Sequence, residues 1–138
     1  MKQQILSISP NASANDAARK MKLEGISCLP VCDEQGRPIG VLTDRDIVVR
    51  VCAERLDGEH TPVEQVMTKH PVRCRLDSTV EHAEELMIHH RTRRILVTDG
   101  DDKLAGIITL ADIAQVESPL KSARWLRELS ARRFRIER

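Results

Sequence analysis

Residues 40–47 read GVLTDRDI and residues 106–113 read GIITLADI. The two octets share glycine, threonine, aspartate and isoleucine at the same places, 66 residues apart. Sliding the whole chain against itself by 66 also aligns Met1 with Met67, Ala17 with Ala83, Met21 with Met87, Val31 with Val97 and Asp33 with Asp99. That makes nine identities over 47 positions with no insertion, four of them inside one octet. Conservative pairs such as Leu6/Val72 and Leu29/Ile95 fill in between, so the chain reads as an internal duplication.

Each copy carries the same order of elements. A short extended piece, ILSIS or PVRCR, is followed by a helix with apolar residues at three-to-four spacing, Val80, Ala83 and Met87 in copy two. Ser78-x-x-Glu81 predicts a capping box at that helix start, with Ser13-x-x-Asp16 as a weaker version in copy one. Two extended runs joined by Asp-, Gly- and Pro-containing turns come next, SCLPV to IGVLT and RILV to LAGIIT. A second helix leaves the Thr-x-x-Asp segment, over 44–56 in copy one and 110–117 in copy two. The expected fold is therefore α/β: two gapless β-α-β-β-α repeats packed with pseudo-two-fold symmetry, plus a C-terminal helix. The expected boundaries are 1–57 for the first repeat, 58–63 for a linker, 64–118 for the second repeat and 119–138 for a basic amphipathic tail. A repeat of this size buries too little surface to stand comfortably alone, so the two should share a core.

Composition agrees with a soluble globular chain, 41% hydrophobic and 31% charged. No apolar run is long enough for a membrane span, and the N-terminus lacks the pattern of a signal peptide, which predicts a cytoplasmic protein. Cys28 and Cys32 sit four residues apart in an extended run, too far for a bridge, and Cys52 and Cys74 show no metal-ligand spacing. All four are expected to be reduced. The formal charge of +1 is uneven: residues 119–138 hold seven basic and two acidic side chains, and also Trp125 and Phe134. The repeats must build their core from aliphatic residues.

Thr43-x-x-Asp46 and Thr109-x-x-Asp112 stand at strand-to-helix boundaries. Such a pair can cap a helix, with hydroxyl and carboxylate each accepting from an orphan N–H. Capping alone does not require Gly40 and Gly106 at the same offset, and glycine inside a strand often marks a close approach by a ligand or another backbone. The same corner can also hold a nucleotide. Free N–H groups at a helix start attract phosphate, and a carboxylate one turn in can accept both hydroxyls of a ribose. Adenine would then lie between aliphatic walls such as Leu6, Ile26 and Val72.

With LPV…D…G…GVLTDRDI in one copy and ILVTD…GIITLADI in the other, the chain resembles tandem CBS (cystathionine-β-synthase) domains, the pair called a Bateman module. The resemblance covers residues 1 to about 117 and is carried most strongly by the gapless pairing of the motifs. It implies a non-catalytic regulatory module that binds adenosine-containing ligands (AMP, ADP, ATP, NAD or S-adenosylmethionine) in two clefts, with no prosthetic group. It also implies a homodimer and a regulated partner protein, whose identity the sequence does not give. Carried over residue by residue, Thr43 and Asp46 would hold ribose in one site, lined by Ile26, Ser27 and Cys28 with Leu6 opposite. Thr109 and Asp112 would do so in the other, with Thr68 and Val72 preceding the strand, Thr92, Arg93 and Arg94 in the lining positions, and Lys69 and His70 adding charge near the mouth.

The two sites should differ. Arg93 and Arg94 stand where copy one has Ser27 and Cys28, so the second site is expected to prefer a polyphosphate, with Arg94 the favoured contact. Arg45 lies inside the first octet, where the second has Ala111, and the first site is expected to be weaker or AMP-like. Copy two departs from the family pattern in having Leu96 where copy one has Pro30. Solvated strand-edge arginines are the alternative reading.

His82, His89 and His90 read as a solvated helix face, since no Cys or carboxylate completes a metal set. No nucleophile–base pair, P-loop or dinucleotide fingerprint is present, so an enzyme is not expected. In the tail, Ser118-Pro119 would open a helix and Trp125/Leu129 form an apolar stripe. Docking of that helix on the module or on a dimer partner is the leading reading. A constitutive interaction module with empty clefts, or nucleic-acid binding through the basic tail, are the alternatives.

Overall fold

A computed structural model of the chain describes residues 6–116. The C-terminal helix expected for 119–138 and the pairing of Met1 with Met67 lie outside the described residues. The chain divides into two compact α/β units, residues 1–71 with 102–104, and 72–101 with 105–138.

In unit 1, α1 (Ala14–Glu24) is capped by the Ser13 side chain, which accepts from the Asp16 N–H, and ends at Gly25 in the left-handed region. Strands β1 (Cys28–Cys32) and β2 (Pro38–Thr43) form the expected antiparallel hairpin, with Leu29 opposite Leu42 and Val31 opposite Gly40. The opening piece is represented by a parallel bridge from Ile8 to Val31. Every β1 side chain is buried, while β2 alternates, with Gly40 and Leu42 turned to the core. Period-two burial of that kind is what a strand covered on one face requires. After β2, α2 (Asp44–Ile47) runs directly into a π-helical turn over Val48–Cys52. The single helix expected over 44–56 thus widens partway along, a local insertion that hydrophobic spacing does not reveal.

The segment read as a linker is folded. Thr61 is buried and its hydroxyl donates to Asp57 O at 2.7 Å. Ala14 N–H donates to Thr61 O at 2.8 Å, and Val63 N–H donates to Ala12 O at 2.8 Å. Helix α3 (Val63–Val66) and Met67 then complete a core of Ala14, Ala17, Met21, Leu29, Val31 and Leu42. The next residues, β3 (Thr68–Lys69), pair antiparallel with Val41 and Gly40. The first repeat is therefore finished by chain that follows its π-helical turn.

Unit 2 repeats the plan. Strand β4 (Arg73–Arg75) runs parallel to β5 (Arg94–Thr98), and β6 (Leu104–Thr109) completes a sheet of order β4-β5-β6. Helix α4 (Val80–His90) begins one residue later than the expected capping box. Its cap is Thr79, whose hydroxyl accepts from the His82 N–H at 3.1 Å, while the Ser78 hydroxyl accepts from the Arg75 N–H at 3.0 Å. The core is aliphatic, with Ala83, Met87, Ile95 and Val97 under α5 (Leu110–Val116), which contributes Ile113. None of the four cysteines is part of a disulfide. No helix among the described residues is long and apolar enough to cross a membrane.

Candidate functional site

At the end of β2, Thr43 leaves the sheet with extended backbone and opens α2. Its Oγ1 accepts from the Asp46 N–H at 3.1 Å, and Asp46 Oδ2 accepts from the Thr43 N–H at 2.9 Å. The corner between β6 and α5 is the same: Thr109 Oγ1 accepts from Asp112 N–H at 3.2 Å, and Asp112 Oδ2 accepts from Thr109 N–H at 2.9 Å. Both octets therefore form reciprocal helix caps. Capping does not use up their chemistry. A carboxylate offers about four acceptor positions and a hydroxyl keeps its own proton to donate, so each corner retains acceptor positions and an O–H for another molecule.

Both corners are fixed to the residue just before the first strand of the hairpin. Asp44 N–H donates to Ser27 O at 3.0 Å, and Leu110 N–H donates to Arg93 O at 2.7 Å. Cys28 is buried and pairs directly with Thr43 across the sheet. Ser27 is exposed, Leu6 and Ile26 pack on the margin of the unit 1 core, and Arg45 is exposed on the first turn of α2. In unit 2, Val72 packs on the edge of the core and its carbonyl accepts from Leu96 N–H at 3.0 Å. Thr92 folds back on its neighbour, its hydroxyl donating to Arg94 O at 3.0 Å. Arg93 and Arg94 are both half-buried, so burial does not separate them.

Thr68 and Lys69, assigned by sequence to the second site, belong to the sheet of unit 1. Arg50, absent from the expected set, ties them to the first corner. Its Nη1 donates to Val66 O at 3.0 Å and to Thr68 Oγ1 at 3.3 Å, and lies 3.8 Å from Asp46 Oδ1. The signal for Arg50 was available as an i,i+4 acid–base pair with Asp46. The matching position in copy two is Val116, so only the first carboxylate has a cation at that spacing.

The repeated glycines have different surroundings. A Cβ on Gly40 would fall on the Met67 sulfur, whereas one on Gly106 would meet nothing within 4 Å. The close approach expected at the first glycine is thus made by a side chain. Around Gly106 lies a cavity of about 410 Å³ within unit 2, lined by Leu76, Val80, Ala83, Ile108 and Ile113 among others. Of the expected site residues only Asp112 reaches it.

The model of the CBS domain matches residues 1–52 and 63–118. The chain belongs to the CBS domain family. A CBS domain-containing protein from Bacillus subtilis, YhcV, is 38% identical over 123 residues, 89% of this chain and 86% of that one. Among solved structures, the CBS domain protein TA0289 of Thermoplasma acidophilum superposes with a TM-score of 0.78 at 23% identity, covering 93% of this chain and 72% of its own. The structure of CBSX2 in complex with AMP matches with a TM-score of 0.70 at 26% identity, covering 83% and 88%. The two matched segments are the two copies of the repeat, so the chain is a tandem CBS pair.

Proposed function

We propose that this CBS pair is a non-catalytic sensor that binds an adenosine-containing nucleotide at its Thr–Asp corners and passes occupancy to a partner protein. The observation that carries the reading is the duplication of one polar corner, built by the same two hydrogen bonds in both units. Each corner keeps carboxylate acceptor positions and a hydroxyl proton at a helix start, the groups a ribose and its phosphate need. CBSX2, a relative in fold, was solved with AMP. In this reading Asp46 and Asp112 accept ribose hydroxyls, with Thr43 and Thr109 donating beside them. Ser27, Cys28, Ile26 and Leu6 line the first site, which Arg50 and Thr68 adjoin. Thr92, Arg93, Arg94 and Val72 line the second, where the two arginines favour a polyphosphate. Lys69 and Arg45 add charge on the unit 1 side. The module works in the cytoplasm as a homodimer.

Thermal unfolding with AMP, ADP, ATP, NAD and S-adenosylmethionine tests this, using wild type, Asp46→Ala and Asp112→Ala. A ligand at 100 times its Kd adds about 2.7 kcal/mol by mass action. Reading the ligand-induced increment, rather than the melting point, cancels the cost of the lost cap. The expected result is an increment in wild type that one or both substitutions abolish. No increment with any compound would favour a constitutive interaction module, and increments surviving both substitutions would displace the site.

A further inference from the structure

Unit 1 has a cover that the described residues of unit 2 lack. Residues 61–67 lie across Pro10–Ala14: Val63 N–H donates to Ala12 O, Glu64 N–H to Pro10 O, and Ala14 N–H to Thr61 O. Val63, Val66 and Met67 close the core there, and Ala14 is fully buried. The matching stretch of unit 2 is Leu76–Val80, where Leu76 is 65% exposed and Val80, the counterpart of Ala14, is 42% exposed. Both line the open cavity beside Gly106. Apolar surface left this way by one half of a duplicated fold marks the seat of a missing cover.

We propose that residues 119–138 of the same chain form that cover. Three features point to this segment. The cover of unit 1 comes from the chain that follows α2 and its π-helical turn, and 119–138 follow the matching helix α5, whose Asp112 and Ile113 already line the cavity. Reach is sufficient, because Leu129 follows Asp112 at the same separation as Val63 follows Asp46. Charge is complementary: Asp77, Glu81 and Glu85 are exposed on and beside the first turns of α4, and the segment carries a net +5 with apolar Trp125, Leu126 and Leu129 between its arginines. The cavity shares Asp112 with the second Thr–Asp corner, so the cover adjoins that proposed site, but its seating and its test use no nucleotide.

Trp125 is the chain's single tryptophan, so its fluorescence reports this segment alone. In the full-length protein its emission should be blue-shifted and poorly quenched by acrylamide. Val80→Lys and Leu76→Lys place a cation on exposed rim positions that the fold tolerates. Each should move the emission to that of a hydrated indole and raise quenching several-fold, with circular dichroism unchanged. Leu23→Lys, on an 82% exposed position of α1, is the control and should change neither. A hydrated Trp125 in wild type would overturn the proposal, and so would a protected one indifferent to both rim substitutions. Protection that disappears on dilution, together with dissociation of a dimer in sedimentation, would assign the cover to a second copy and overturn it equally.

Discussion

Met67 lies against Gly40, its Cγ 2.9 Å from where a β-carbon on that residue would stand. Gly40→Ala must push this side chain out of a packed core and should cost about 1–3 kcal/mol in urea unfolding. Gly106→Ala, at the matching place in unit 2, meets open space and should change stability by less than about 0.5 kcal/mol. In a Met67→Ala background the penalty at position 40 should largely vanish, because the two residues share one contact.

Two left-handed positions of copy one are filled by other residues in copy two. Gly25 (φ 67°) and Gly36 (φ 84°) correspond to Arg91 (φ 54°) and Asp102 (φ 65°). A β-carbon is unfavourable in this region by roughly 1 kcal/mol. Gly25→Ala should therefore destabilise by about 1 kcal/mol. Arg91→Gly should be neutral or stabilising despite the added freedom of the unfolded chain. Matched denaturant curves for the pair decide it.

The threonines at the two corners hold their helices whether or not a ligand is present. Thr43→Ala and Thr109→Ala should each lower stability by about 1 kcal/mol without nucleotide. Amide exchange should accelerate first at Asp46 and Asp112, whose N–H groups lose their acceptors.

Cysteine reactivity should divide by burial. Cys52 is exposed on the π-helical turn, while Cys28, Cys32 and Cys74 are buried. Burial pushes the Cys32 and Cys74 thiols up, so little thiolate forms there near neutral pH. A thiol reagent should label Cys52 promptly in the native protein and the other three only on unfolding.

His60 and Asp57 form an exposed pair, Nδ1 to Oδ2 at 2.7 Å. The Asp57 carboxylate raises the imidazole above its ordinary 6.5, and the imidazole in turn lowers Asp57 below 3.8. The histidine's contribution to stability is fully present below about pH 6.5 and fades as pH rises through its raised folded value. That of Asp57 is present above about pH 3.8 and fades as acid reaches its lowered one. In NMR titrations Asp57→Asn should bring the His60 midpoint down, and added salt should narrow the difference.

The fold was legible because the 66-residue register carried it: octets, hairpins and first helices all fall where that offset places them. The same register also held the right cap, since Thr79 matches Ser13, but the Ser78-x-x-Glu81 pattern drew attention one residue too early. What the sequence hid was long-range. Nothing local says that Thr68 and Lys69 join the sheet of unit 1 or that Met67 occupies the space beside Gly40. Arg50 was visible only to a helical count from Asp46. The Thr–Asp pairs stand at strand-to-helix boundaries and form the caps that helix chemistry demands of their spacing.

Closing unit 1 with residues 61–69 also orders its biogenesis. A nascent chain that has emerged only as far as the π-helical turn still has no α3, no Met67 and no third strand, and its sheet edge and apolar face stay open to the surroundings. Completion waits until the ribosome has released the start of the next repeat, and domains generally fold as units during synthesis. Translation pauses placed before Lys69 would therefore prolong the aggregation-prone stage, while pauses beyond it would spare the first half.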